Sequence, residues 1–523
     1  MSGKIARVYC MKDFIPQPVK NVIEVLQKAG FEAFIVGGCV RDLLIGRTPK
    51  DWDITTSALP ENIITLFPDS FYENNFGTVG VKVPRFSPLS PREEGLGHSD
   101  EKSAPDDTAR EIIEVTTYRT ESGYEDKRRP TIVTFTTSLT EDLARRDFTM
   151  NALAYGKNSD GVWTLVDPYG GQKDIQEKII RTVGKPEERF DEDALRLIRA
   201  VRFLAELRDP REERASHNWH IEEQTRQAIK EFSPHLKHVS QERIRDEFSK
   251  IILSRNGAFG VDMLHQLQLL RFILPELELG IGVTQNLHHI YTVWEHNLRA
   301  LDTCPSEKLS VRLAALLHDV GKPETKRGDG YRSTFYNHDH VGARIAEKAL
   351  ARLRFPKALV EKATLLVDNH LFYYNVDEVT EASVRRLIKR VGLENMDDLM
   401  AVRIGDRLGS GVPKGKTYKL RHLEYMIEKV SKDPITPKML ALHGTDLMDA
   451  LGLPPSPKVG TLLDILLSRV IDDPSLNSKE ELLEIARGLE KHNLTELRAL
   501  AKAKIEKTKK DERDRLKKNH FVL

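Results

Sequence analysis

Cysteine is scarce in this chain: three residues in 523, Cys10, Cys39 and Cys304, with no CxxC spacing. That excludes a disulfide framework and a thiolate metal site, and it fits a reducing cytoplasm. Long apolar runs are missing too. No stretch approaches the roughly 18 apolar residues of a membrane span. The N-terminal "MSGKIARVYCMKDF" lacks the apolar centre of a signal peptide. Both absences point to a soluble, cytoplasmic protein with no membrane partner. Charge imbalance is absent as well. Lys and Arg number 80 against 79 Asp and Glu, a net charge of +1. This neither favours nor excludes nucleic acid, because a basic groove can be offset elsewhere. No fixed-period repeat is visible, which excludes a solenoid. What is present suits three or four domains with real cores: 40% hydrophobic and 30% charged residues.

The pattern changes along the chain. Residues 18–30, "PVKNVIEVLQKAG", have helical periodicity and stop at Gly30. "FEAFIV" reads as a buried strand, "VRDLLIG" as a helix, and "DWDIT", "VGVKV", "EIIEVTTYR" and "TIVTFTT" as further strands. Residues 84–110, rich in Pro, Ser and charge, read as a disordered insertion on a hairpin. From about residue 170 strand signals vanish and amphipathic helices take over, among them "DALRLIRAVRFLAEL" and "SVRLAALLHDV". Residues 501–523 hold nine Lys/Arg against four Asp/Glu and read as a basic helix, solvated or touching nucleic acid.

The densest chemistry lies in "GGCVRDLLIGRTPKDWDI", residues 37–54. On a strand, residues two apart share a face, so Asp51 and Asp53 point together and Trp52 points away. Two carboxylates side by side suit a hard cation such as Mg2+, which binds through one or two carboxylates plus substrate phosphates. Two such ions would clamp an in-line displacement. Gly37 and Gly38 let backbone approach a phosphate at a helix start, and Arg41 adds a cation one turn in. The alternative is a strand–turn–helix with a surface acidic pair.

"FIVGGCVRDLLIGRTPKDWDITTSALP" closely resembles the head motif of class II nucleotidyltransferases, the family of CCA-adding tRNA nucleotidyltransferases and bacterial poly(A) polymerases. The resemblance implies an α+β fold: a small polymerase-beta-like sheet head, then all-helical neck, HD and tail domains. The expected boundaries are 18–160 for the head, 161–280 for the neck, 281–410 for the HD domain and 411–523 for a tRNA-contacting tail. It implies Asp51 and Asp53 as metal ligands, with Gly38 and Arg41 on the triphosphate. "RRDFTMNALAYG" (145–156) resembles the second family motif and makes Arg146 a nucleotide contact, with Asp147 and Asn151 near the sugar. "VDPYGGQKDI" resembles the joint between head and helices.

"RFDEDALRLIRAVRF" (189–203) resembles the family's base-reading helix, with Asp193 and Arg196 as template and Arg199 and Arg202 toward the nucleotide. The spacing of Asp193 and Arg196 is i, i+3, which makes them neighbours on a helix surface. A carboxylate accepts and a guanidinium donates, so together they match the amino donor and ring-nitrogen acceptor of C or A. U and G would face like partners, at a cost of a few kcal/mol. The resemblance therefore implies addition of CCA to tRNA 3′ ends from CTP and ATP. "YRTESGYEDKRRPTIVTF" (118–135) resembles the flexible loop of CCA- and A-adding enzymes, and the segment after the head motif lacks a poly(A) polymerase's arginine-rich element. An A-adding enzyme and a poly(A) polymerase are the alternatives within the family; a non-catalytic RNA-binding adaptor is the alternative outside it.

A second constellation follows. His296 precedes the pair His318-Asp319, "NHDH" supplies His338 and His340, and His370 and Asp406 lie downstream. The series resembles the HD phosphohydrolases over residues 285–410. It implies His296, His318, Asp319 and Asp406 as ligands, with His340 and His370 for a second metal. Imidazole with carboxylate suits Ni2+, Mn2+ or Mg2+. The implied activity is phosphatase or 2′,3′-cyclic phosphodiesterase; the alternative is a helical spacer with polar core histidines.

Overall fold

The computed structural model describes residues 11–72, 77–86, 110–122, 132–212, 218–286, 290–372, 374–375, 379–431, 436–499 and 502. It divides into two compact units, Met1–Glu278 and Leu279–Leu523.

In the first unit, helix α1 (Gln17–Lys28) buries Val19, Val22, Ile23 and Leu26, one stripe at steps of three and four, against the sheet. Strand β1 (Ala33–Val36) is buried along its whole length because it is central in a seven-stranded sheet. Helix α2 (Gly38–Leu44) follows, then β2 (Asp53–Thr56), β3 (Ser70–Tyr72), β4 (Thr78–Pro84) and β5 (Arg110–Thr117). The sheet is completed by β8 (Ala154–Lys157) and β9 (Trp163–Val166), in the order β3-β4-β5-β2-β1-β8-β9. Strand β2 runs antiparallel to β1 and parallel to β5, with Asp53 opposite Glu114. The pairing of β4 with β5 continues out to Pro84 and Arg110, the two ends of the expected insertion. Residues 87–109 of that insertion lie outside the described residues, as does the basic 501–523 segment apart from Lys502.

Strands β6 (Arg119–Ser122) and β7 (Ile132–Phe135) pair antiparallel and form the arms of the expected flexible loop, whose residues 123–131 lie outside the described residues. Helix α3 (Leu139–Ala144) starts at Ser138, whose side chain accepts from the Glu141 amide. Beyond the sheet the unit is helical, apart from a short parallel pair that joins Ile179 and Ile180 to His220 and Ile221. Helix α4 (Pro186–Glu192) leads to α5 (Leu195–Leu207), which buries 11 of its 13 residues, Arg196 and Arg202 among them. Helix α6 (Gln241–Leu253) packs on α5.

The second unit is helical. Helix α7 (Val293–Thr303) begins with a capping box between Thr292 and Glu295. It packs with α8 (Leu309–Leu317) and α11 (Met396–Gly409), while α9 (His338–Arg352) packs on α10 (Lys357–Asn369). Helix α12 (Tyr418–Val430) follows α11. A further apolar cluster around Leu447, Leu462, Leu466 and Leu482 holds the last helices together.

Candidate functional site

The glycine turn of the first unit is built by backbone geometry. Gly37 sits at φ +82° and caps α2, a conformation that side chains avoid. A Cβ there would also lie 3.0 Å from Arg146 Nη1, so the guanidinium of Arg146 covers the turn. Cys39 ties the turn to the carboxylate strand, donating to the carbonyls of Val36 (3.3 Å) and Asp53 (3.9 Å). Burial, helped by the Asp53 carboxylate, pushes its thiol up to about 12, so it stays protonated.

Trp52 is buried, Asp51 is exposed and Asp53 half-buried, the alternation expected of "DWD", although the strand itself begins only at Asp53. Asp51 and Asp53 contribute carboxylate oxygens, the donor type a hard divalent ion takes.

Behind the turn the arginines converge. Arg41 donates to Asn151 Oδ1 at 2.8 Å, Asn151 donates to Asp147 Oδ1 at 3.1 Å, and Arg199 donates to Asp147 Oδ2 at 2.8 Å. Arg202 Nε reaches Glu247 Oε2 at 2.5 Å. The guanidinium carbons of Arg41, Arg199 and Arg202 stand 5.2, 5.3 and 4.0 Å from the centre of the Phe203 ring. Burial opposes the Asp147 charge, but Arg199 and Asn151 overcome it and hold the carboxyl at about 2. Arg146 adds a salt bridge to Asp142 at 3.5 Å, and its buried Nε has no hydrogen-bond partner among the described residues. Of the residues chosen from sequence, Arg41 and Arg146 therefore stand at the Gly37-Gly38 turn, and Arg199 and Arg202 join Arg41 around the Phe203 ring. Phe203 and Glu247, which organise them, carried no signal beyond an apolar or acidic helix position.

The template pair is arranged differently from the expected helix surface. Residues 189–203 are not one helix: α4 ends at Glu192, Asp193 is extended at φ −147° and ψ 103°, and α5 starts at Leu195. Asp193 is held bidentately by Arg243 of α6 at 2.6 and 3.1 Å, and its Oδ1 also accepts from the Leu195 amide. Arg196 donates to Glu192 at 2.6 Å and to the carbonyls of Arg189 and Arg145 at 3.1 and 2.9 Å. Each is oriented by its own partners rather than by the other. Arg243 lies 50 residues downstream in a plain amphipathic helix, where sequence has nothing to mark it.

In the second unit six side chains converge. His296, His318 and Asp406 form one group and Asp319, His338 and His370 another, with the ligand atoms of each within 4.8 Å. Asp319 joins them: Oδ2 lies 3.2 and 3.3 Å from His296 and His318 Nε2, while Oδ1 lies 3.3 and 3.7 Å from His338 and His370 Nε2. The Nδ1 atoms of His318, His338 and His370 bond to the carbonyls of Ala315, Phe335 and Val367 at 2.8, 2.7 and 2.7 Å. With Nδ1 so engaged, each ring turns Nε2 inward, the atom that would ligate a metal. His296 and His318 bring Nε2 atoms within 2.9 Å of each other.

Such a set needs positive charge at its centre. Burial disfavours the charge of His318, but Asp319 and Asp406 overcome it and lift the ring to about 10. Burial and the neighbouring His318 and His338 push His370 down to about 3. Lys322 supplies one cation, 2.5 Å from Asp319 Oδ2 and 2.6 Å from Gln285 Oε1. The buried imidazole–carboxylate donors fit a divalent transition metal, with Asp319 placed as a bridge between two positions.

His340 does not join them. It is exposed and pairs with Asp368 at 2.6 Å. His338 stands in its place, because residues two apart on α9 point about 200° apart and only one of the two can face inward. Gly321 makes that approach possible: a Cβ there would sit 2.3 Å from the His338 carbonyl.

Comparisons with known proteins agree with this division. A model described as "Poly A polymerase head domain" matches residues 33–87 and 95–181. One described as "Probable RNA and SrmB- binding site of polymerase A" matches 218–280, and an HD domain model matches 286–408. The A-adding tRNA nucleotidyltransferase of Deinococcus radiodurans is 36% identical over 344 residues, 63% of this chain and 74% of that protein. The CCA-adding enzyme of Geobacillus stearothermophilus is 32% identical over 472 residues, 89% and 95% of the two chains. A crystal structure of the Bacillus stearothermophilus CCA-adding enzyme in complex with CTP superposes with a TM-score of 0.61 at 28% identity, covering 91% of this chain and 100% of that one. Both families are metal-dependent, and no helix among the described residues is long and apolar enough to cross a membrane. The chain belongs to the tRNA nucleotidyltransferases of the poly(A) polymerase family, and its head is followed in sequence by an HD domain.

Proposed function

We propose that the first unit adds C, C and A to tRNA 3′ ends, taking CTP and ATP as substrates. The observation that carries this is the placing of Arg41 and Arg146 at the Gly37-Gly38 turn, which Cys39 ties to the Asp53 strand, with Arg199 and Arg202 joining Arg41 around Phe203. The arginines neutralise and orient the triphosphate, so that the α-phosphorus faces the tRNA 3′ hydroxyl. Mg2+ held by Asp51 and Asp53 would supply charge for the developing oxyanions. Asp193 accepts from the exocyclic amine of C or A, and Arg196 donates to the adjacent ring nitrogen. Pyrophosphate leaves as the new phosphodiester forms. We place the reaction in the cytoplasm, where tRNA and nucleotides meet.

The test is incubation with tRNA ending at the discriminator base, CTP and ATP, followed by sequencing of the ends. Products ending in CCA are expected; no extension would overturn the reading. The Deinococcus relative favours a second reading, A addition alone. Extension only of tRNA already ending in CC would establish that one.

For the HD cluster we propose hydrolysis of phosphoesters such as 2′,3′-cyclic phosphates, with Mn2+ or Ni2+ held by His296, His318, Asp406, Asp319, His338 and His370. Water adds to phosphorus and one P–O bond of the ring opens, giving a phosphomonoester and a free hydroxyl. Conversion of a 2′,3′-cyclic nucleotide to the nucleoside 2′- or 3′-monophosphate by metal-reconstituted protein tests it; no conversion with any metal would overturn it.

A further inference from the structure

Helix α12 carries a surface that neither site uses. The segment "KGKTYKLRHLEYMIEK" (414–429) puts Tyr418, His422 and Tyr425 at steps of four and three, on one helix face. Leu420, Leu423, Met426 and Val430 occupy the buried face, so the aromatic row points outward. Tyr418 is 62% exposed and Tyr425 57%. The His422 ring lies 6.0 Å from each tyrosine, and Tyr374, also 6.0 Å away, extends the row and bonds His422 Nδ1 through its hydroxyl. Lys414, Lys416, Lys419 and Arg421 are exposed beside it. Of the two acidic residues in the segment, Glu424 is tied to Lys416 at 2.8 Å and Glu428 is exposed at its end beside Lys429.

Exposed rings bordered by cations are what an unpaired nucleic-acid strand binds: bases stack on the rings and phosphates run along the lysines. A protein partner is less suited, since protein interfaces are depleted in lysine. The row also starts near the HD cluster. Tyr374 follows His370 by four residues, so their Cα atoms are at most about 14 Å apart. That is within reach of a few stacked nucleotides at about 3.4 Å each.

We propose that Tyr374, Tyr418, His422 and Tyr425 form a stacking platform for the unpaired 3′ strand of an RNA whose terminal phosphate lies at the HD cluster. The proposal rests on the hydrolase reading of that cluster and names its substrate class: an RNA end rather than a free mononucleotide.

The test compares a short oligoribonucleotide ending in a 2′,3′-cyclic phosphate with the corresponding mononucleotide, using full-length protein and added Mn2+. Wild type should show a KM about tenfold or more lower for the oligonucleotide, as expected from stacking one or two bases. The Tyr418→Ala/Tyr425→Ala variant should lose that preference through KM with kcat retained. Equal KM values in wild type, or a preference that survives in the variant, would overturn the platform. Should neither substrate be hydrolysed, the hydrolase reading falls, and photocrosslinking of a 5-iodouridine oligoribonucleotide decides the platform separately. Cross-links at Tyr418 or Tyr425 support it; cross-links confined to residues 1–278 overturn it.

Discussion

Two aspartates show how the same side chain is set to different tasks by its partners. Asp147 is a structural charge. Its folded pKa is about 2 against an ordinary 3.8, so its contribution is fully present above pH 4 and is lost as pH falls from about 4 to 2. That difference amounts to about 2 kcal/mol. Unfolding of wild type and Asp147→Asn should therefore differ most near neutrality and converge toward pH 2; a constant gap would refute the assignment. Asp193 instead points a carboxylate that Arg243 has already oriented. Asp193→Ala and Arg196→Ala should relax the choice of base, raising UTP and GTP incorporation relative to CTP and ATP. Arg243→Ala should do the same more mildly, because Asp193 survives but loses its clamp. If all three variants keep wild-type base ratios, the template role is removed. Asp51→Ala or Asp53→Ala should abolish addition while the far-UV spectrum is retained, and near-normal addition by either would remove them from the metal site.

At the scale of elements, helix phase decides which histidines can meet. His338 and His340 are equally good ligands in composition, yet α9 turns only the first toward Asp319. His338→Ala should lower the metal bound by Mn2+-reconstituted protein, measured by elemental analysis, whereas His340→Ala should leave it unchanged. Equal loss in both would mean the helix is phased otherwise. The "HDVGK" turn matters for the same reason. Gly321→Ala would force a Cβ into the His338 carbonyl, at a cost of about 1–3 kcal/mol, and should reduce stability and metal content together.

For the whole molecule, the two chemistries are proposed in separate units with different donors: the carboxylates of Asp51 and Asp53 in one, and four imidazoles with Asp319 and Asp406 in the other. His318→Ala should lose cyclic-phosphate hydrolysis and still add CCA, with both assays run on one preparation. Loss of CCA addition in the folded variant would show that the sites are coupled.

The sequence by itself determined the succession of a sheet-bearing head and helical segments, because periods of two and of three to four are written locally. It also determined the glycine turn, the alternating aspartates and the family they resemble, since these residues are close together in the chain. Tertiary structure decided the rest. The break at Asp193 follows from its clamp to Arg243, a pairing across 50 residues. Phe203 and Glu247 gain their roles only when α5 and α6 pack and bring arginines to them. The bridging position of Asp319 needs α9 and α10 folded against the turn after α8. Periodicity tells which residues share a face of one element; only packing tells what that face meets.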